Sequence, residues 1–398
     1  MALTIGTNNQ SIVSGLKRAS DLQSYQKVPQ YVDKYLELWK GIAPLTVISE
    51  RAGKLKEVKD DNFFHMEEDE LPQLVTVSGA HNSAVTTINL ASGNGSYIRV
   101  GDILHAPTTG EQMLVTAFQS ADVITVTRAH GGTSAATIPT DGTLQIMPMS
   151  DTDGNTAPSG LASTPARKIN YLQIEKESVE LSGRDMNTEI YGPDERTKER
   201  SLAMRRLLWK VEKALLFGGL DAGTTAGHRK ATGGLKYWIS SNTTDASGGF
   251  TETVWNLWLE KIFRFNYDTG SLLVFAGENV CAALDQFGRD RVRYVADDKV
   301  FGVAVKRYQS NFGDVNVIRH GMFNSAFDPT GTWAGYAFAV NTDNFKMAHF
   351  AGRNMQFFKD KQTPDLDGIK DYWLHDFGAW VGKERTHGLL FGVPDPLS

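Results

Sequence analysis

From Tyr191 to Phe217 the chain carries its most regular pattern. Met204, Leu207, Leu208, Val211, Leu215 and Leu216 return at spacings of three to four residues, which is one stripe of an α-helix. The helix expected there is about 35 Å long at ~1.5 Å per residue. Pro193 suits its first turn, and Gly218-Gly219 stops it. Arg196, Lys198, Arg200, Arg205, Arg206, Lys210 and Lys213 crowd the polar side. That side reads in two ways. It is a solvated face laced with i,i+4 pairs between Glu195–Glu199 and Arg196–Arg200, or it is a surface for an acidic partner or nucleic acid.

Upstream the texture is different. Residues 2–27 are polar and read as an arm that orders only against something else. Val28, Tyr31, Val32, Tyr35, Leu38 and Trp39 predict a short helix ended by Gly41 and Pro44. A charged stretch follows, with an acidic cluster at Glu67, Glu68, Asp69 and Glu70. Gln73 to Met147 is then rich in Thr, Val, Ile and Gly, without helical periodicity. Strands are expected at Thr86–Asn89, Met113–Ala117 and Val123–Thr127, with a hairpin turn over Gln119–Asp122. Turns fall at Gly101-Asp102 and Thr109-Gly110. This is a small β-barrel or sandwich, closed by an exposed loop over Asp151–Pro165.

Lys168–Ser182 reads as strand, Gly218–Gly234 as a Gly/Thr loop, and Thr253–Phe265 as helix. Leu272–Phe275 is a buried strand, Asn279–Phe287 a helix, and Trp380–Phe391 the last strong element. Helices and strands mix without regular alternation, so the class is α+β and not a doubly wound sheet.

Chemistry is mostly missing. The Gly218–Gly234 loop lacks the Gly-Lys-Ser/Thr ending of a phosphate loop and follows a helix. His65 sits near Glu67 and Asp69, and His375 near Asp371 and Asp376, but such neighbours are common in charged segments. Either could be called a metal site, but there is no His-Glu-x-x-His helix and no closely spaced cysteine pair, and no Gly-x-Ser-x-Gly elbow occurs. Cys281, the one cysteine, excludes an intrachain disulfide and reads as a packing residue. No catalytic residue, cofactor or metal is assigned. The net charge of −5 means that nucleic acid can be met only through a local basic patch. No leader-like start or membrane span is evident, so a cytoplasmic origin is expected.

Several segments, in their order, carry a resemblance. They are Lys168-Ile-Asn-Tyr-Leu-Gln-Ile174 with Val179-Glu-Leu-Ser-Gly183, and Tyr191-Gly-Pro-Asp-Glu195 opening a helix that ends Val211-Glu-Lys-Ala-Leu-Leu-Phe-Gly218. Then come Thr232-Gly-Gly-Leu-Lys-Tyr-Trp-Ile239, Tyr308-Gln-Ser-Asn-Phe-Gly-Asp314 and Lys383-Glu-Arg-Thr-His-Gly388. The chain is similar in these to major head proteins of tailed bacteriophages with the Hong Kong 97-type capsid fold.

The resemblance implies an N-terminal arm (1–40), an extended loop and the start of a peripheral domain (41–72), and an inserted β-rich domain (73–148). The loop's return and the peripheral domain with its spine helix would span 149–235, an axial domain 236–345, and peripheral strands 346–398. It implies self-assembly into hexamers and pentamers of a head around double-stranded DNA, in the virion after assembly in the host cytoplasm. Possible partners are decoration, portal and scaffolding proteins and, weakly, the packaged DNA, with no membrane. Candidate intersubunit contacts join Glu67, Glu68, Asp69 and Glu70 to Arg196, Arg200, Arg205 and Arg206 of a neighbour. The rival readings are an encapsulin-like protein shell, a carbohydrate-binding or adhesion protein, and a hydrolase using His65 or His375.

Overall fold

The computed structural model describes residues 43–51, 53–69, 71–151, 153–158, 160–188, 194–224, 227, 229–266, 272–291, 295–300, 303–310, 313–324, 327–328 and 330–396. The chain divides into two compact units, Phe64–Lys168 and the remainder. The arm, the helix expected around Tyr31–Trp39, Glu70 and Pro193 lie outside the described residues.

The described chain opens with α1 (Pro44–Arg51), β1 (Leu55–Val58) and β2 (Asn62–Glu67). Pro44, expected only as a terminator, takes the first position of α1, where its missing N–H is no loss.

The Phe64–Lys168 unit holds β3 (Leu74–Thr76), β4 (Thr87–Asn89), β5 (Ile103–His105), β6 (Gln112–Ser120), β7 (Val123–Thr127) and β8 (Thr143–Met147). They pair antiparallel in the order β3-β8-β5-β6-β7-β4. The two end strands also meet. Val77 bridges Leu90, Ser78 N donates to Asn89 O and Ala91 N to Thr76 O, both at 2.8 Å. Alternate residues such as Val75, Ile88, Leu104, Met113, Ile124 and Leu144 turn inward and are wholly buried. The β6–β7 hairpin lies where the alternation of its residues puts it. β3 and β5, three residues each, are too short for alternation to reveal. Glu111 and Arg128 form a buried bidentate pair at 2.7 Å, and the carboxylate also accepts from Ala129 N and Ala136 N. Burial pushes the Glu111 pKa up, but Arg128 and the two amides outweigh it and hold the carboxyl below its ordinary range.

The larger unit continues with β9 (Ala166–Tyr171), β10 (Gln173–Ser182), α2 (Gly183–Met186), α3 (Glu195–Phe217), α4 (Leu235–Trp238), β11 (Thr243–Asp245), α5 (Glu252–Phe263), β12 (Leu272–Ala276) and α6 (Glu278–Arg291). It ends with β13 (Val295–Val300), β14 (Val303–Ser310), β15 (Gly313–Arg319), β16 (Ala337–Asn341), β17 (Phe345–Phe350), β18 (Gln356–Phe358), β19 (Gly368–Val381) and β20 (Gly388–Phe391). One five-stranded sheet runs β1-β17-β19-β10, with β18 also on β19. A seven-stranded sheet runs β11-β20-β16-β12-β15-β14-β13.

β12 explains its own sequence. All five residues are buried because both faces of its sheet are covered. Leu273 and Phe275 face the core that α1 and α3 share with the five-stranded sheet. Leu272, Val274 and Ala276 face a second core with Trp255, Trp258 and Ile262 of α5 and Val280 and Leu284 of α6.

α3 buries Ala203, Leu207, Val211, Leu215 and Leu216, most of the expected stripe. Asp194 caps its start by accepting from Thr197 N at 2.9 Å. Gly218 ends it by close approach: a Cβ there would lie 2.4 Å from Ala214 O and 2.5 Å from Thr232 O. Two expected elements divide. Lys168–Ser182 breaks at Leu172, whose N–H donates to Asp61 O at 2.9 Å. Trp380–Phe391 is the end of β19, a turn and β20.

Candidate assembly interface

Among the described residues β2 and β9 pair only with each other, as a two-stranded ribbon. Along β2, Phe63 is buried, while Phe64 and Met66 are 48% and 58% exposed. His65 and Glu67 face the other way, half-buried and bonded at 2.9 Å. The Arg167 guanidinium lies 4.2 Å over the Phe64 ring, and Glu68 accepts from the Ser163 hydroxyl. Glu68 and Asp69 are exposed at the ribbon's end. A two-stranded ribbon has no core of its own. Each large apolar side chain left in water forgoes roughly 1.5–3 kcal/mol.

The basic side of α3 is matched within the chain. Arg196 Nε and Arg200 Nε donate to Asp371 Oδ2 at 3.1 and 2.8 Å, and Arg196 also reaches Asp360. Arg206 and Lys210 both bind Glu177 at 2.7 Å, and Lys210 also Glu175 at 3.1 Å. Within the helix Lys198 pairs with Glu195 at 3.2 Å, while Arg196, Arg200, Arg206 and Lys210 turn to carboxylates of β10 and β19. Arg205 is half-buried. Burial alone would raise the pKa of Asp371. Arg196, the Asp360 amide and Arg200 overcome this and bring it down to about 2.

Three polar knots, two of them buried, escaped the sequence. Glu212 interrupts the apolar stripe of α3, wholly buried, and accepts from Leu45 N and Thr46 N at 2.8 Å. These are unsatisfied first-turn donors of α1, so Glu212 caps that helix. His320 Nδ1 accepts from Met322 N, so Nε2 carries the proton and donates to Glu212 at 2.9 Å.

Asn170 donates to Gly233 O and Ala379 O at 2.9 and 2.6 Å and accepts from Gly233 N at 2.8 Å. Glu384 accepts from Ser240 N and Ser241 N at 2.7 and 2.6 Å. The segments around Asn170, Thr232-Gly233 and Glu384 are therefore places where parts of the chain far apart in sequence are tied. Only the oddity of a charge within an apolar stripe could have flagged Glu212.

His375 and Asp376 are sequence neighbours on opposite faces of β19. Asp376 pairs with Arg353 at 3.1 Å, and His375 is wholly buried. Burial, with His349 nearby, lowers the His375 pKa to about 4. Among the described residues no three His, Cys, Asp or Glu side chains converge on a metal position. Cys281 packs half-buried against the α5–α6 core. No helix among the described residues is long and apolar enough to cross a membrane.

A subunit whose charges are matched inside and whose ribbon offers apolar side chains outward is made to be completed by other chains. It has the character of a structural assembly protein. The chain belongs to the SU10 major capsid protein family, whose model matches residues 11–394. It is thus a phage major capsid protein, a non-enzymatic shell subunit of the virion, which sets aside the nanocompartment, adhesion and hydrolase readings.

Among solved structures it is similar to the capsid of a native GTA particle (10% identity, 94% of this chain and 98% of that chain, TM-score 0.49). It is similar also to chains from Microbacterium phage Oxtober96 (9%, 93% and 97%, TM-score 0.48) and Mycobacterium phage Adephagia (10%, 95% and 98%, TM-score 0.46). No curated protein matches the sequence.

Proposed function

We propose that the subunit builds hexamers and pentamers of a head around double-stranded DNA by the Hong Kong 97-type arrangement. The β2–β9 ribbon is its extended loop and lies on a neighbouring subunit. The observation that carries this is the outward apolar pair Phe64 and Met66 on a ribbon with no core. The Phe64–Lys168 unit is an inserted β-barrel on that loop, on the outer surface. Its end strands bond to each other, so it offers no open edge and needs no strand from a partner.

The acidic end, Glu67, Glu68, Asp69 and Glu70, faces the basic side of a neighbour's α3. Asp371 already holds Arg196 and Arg200, and Glu177 holds Arg206, so the contact adds to these pairs and does not replace them.

The test is the double substitution Phe64→Glu with Met66→Glu. Both sites are exposed, so the subunit should stay soluble and folded by circular dichroism but form no shells in electron micrographs. Shells at wild-type yield would overturn the reading.

A further inference from the structure

The face of the five-stranded sheet turned away from α3 carries cations that no carboxylate among the described residues neutralises. Strand alternation puts Lys56 of β1, Lys346 of β17, Trp380 of β19 and Lys176 of β10 on that face. The Lys56 and Lys346 ammonium groups lie 5.4 and 5.2 Å from the centre of the same Trp380 ring. Among the described residues neither lysine has a carboxylate partner, and nor does the exposed Lys176. Nearby cations on the face are paired: Lys370 with Glu180, and Arg353 with Asp376. Phe358 and Tyr372 stack there with ring centres 4.8 Å apart. Two like charges gathered on one indole repel each other until an anion lies between them. The chain's net charge is −5, so this excess is local.

We infer that this sheet face is the surface that meets packaged DNA, with Lys56 and Lys346 holding a backbone phosphate beside Trp380. Lys176 takes a phosphate farther along. It pairs with Leu374 and Lys346 with Trp380, six residues apart on β19, or about 20 Å at ~3.3 Å per residue. Lysines are point charges that contact phosphate without reading bases, so the contact is indifferent to sequence. The inference rests on the reading of the shell as enclosing double-stranded DNA. The competing occupant is an acidic segment of a second copy.

The test uses the full chain, unassembled, and a 30-base-pair duplex, with affinity followed against salt by fluorescence anisotropy. Each phosphate contact contributes about 0.9 to the slope of log affinity on log salt. Lys56→Gln with Lys346→Gln, which gives up the one phosphate the two lysines share, should lower the slope by about one, and Lys176→Gln by about one. Lys56→Arg with Lys346→Arg should leave it unchanged. Empty shells should assemble from both glutamine variants at wild-type yield.

A slope unchanged by the glutamine substitutions overturns the inference. So does loss of empty shells, which would make the face a subunit contact. If the double variant does not fold, exposed Lys176→Gln decides alone. Failure of the wild-type chain to form shells at all would instead strike the parent reading, and the salt slope would still report on the lysines.

Discussion

The two faces of the five-stranded sheet treat positive charge in opposite ways. Toward α3, Arg196, Arg200, Arg206 and Lys210 each meet a carboxylate of β10 or β19. On the other face, Lys56, Lys346 and Lys176 meet none among the described residues. The most basic segment of the sequence is therefore largely occupied in fastening the spine helix to its own sheet. The sparser lysines are the ones left for a partner.

The largest effect is expected at Asp371, which is wholly buried and shared by two arginines. Asp371→Ala strands both guanidinium groups and should cost roughly 3 kcal/mol in urea unfolding, the lower end for a broken buried pair because the arginines are partly open to solvent. A loss below about 1 kcal/mol would show that the clamp is not what holds α3.

Acid should dissect the same face in two windows. His375 has a folded pKa of about 4, below its ordinary value of 6.5, so the unfolded chain binds the extra proton first. Stability therefore declines as pH falls from 6.5 toward 4. Asp371, lowered from 3.8 to about 2, contributes stability that is full above pH 4 and lost as pH falls toward 2. His375→Leu should flatten the first window and Asp371→Asn the second in pH-dependent unfolding curves. Unaltered slopes would contradict the assignment.

Glu177→Ala should cost at most about 1 kcal/mol, since Arg206 and Lys210 are 43% and 49% exposed. The smallest effect belongs to the other face. Lys56→Gln with Lys346→Gln should change folding stability by less than about 0.5 kcal/mol. A larger loss would mean those lysines serve the fold, erasing the contrast.

How much of this was legible follows from separation along the chain. α3 showed itself because its stripe is local, and the β6–β7 hairpin because its strands are adjacent. Asp371 lies 175 and 171 residues from the arginines it binds, so the basic helix face read as open or self-paired. β19 was hidden by Asp371, His375 and Asp376, polar residues satisfied or buried only by parts of the chain distant in sequence or outside the strand. The segments around Asn170 and Glu384 were visible as a family pattern, but their role as ties between strands was not. The acidic cluster was visible at the ribbon's end. The apolar pair beside it, Phe64 and Met66, drew no notice because two residues make no periodicity.

Hydrogen exchange on free and assembled subunits tests the central claim most directly. The account predicts that residues 64–67 and 166–168 exchange quickly in the free subunit and slow at least about tenfold on assembly. Residues of the barrel core such as Leu104, Met113 and Ile124 should exchange alike in both states. Equal protection of the ribbon in free and assembled protein would contradict the claim that a neighbouring subunit completes it.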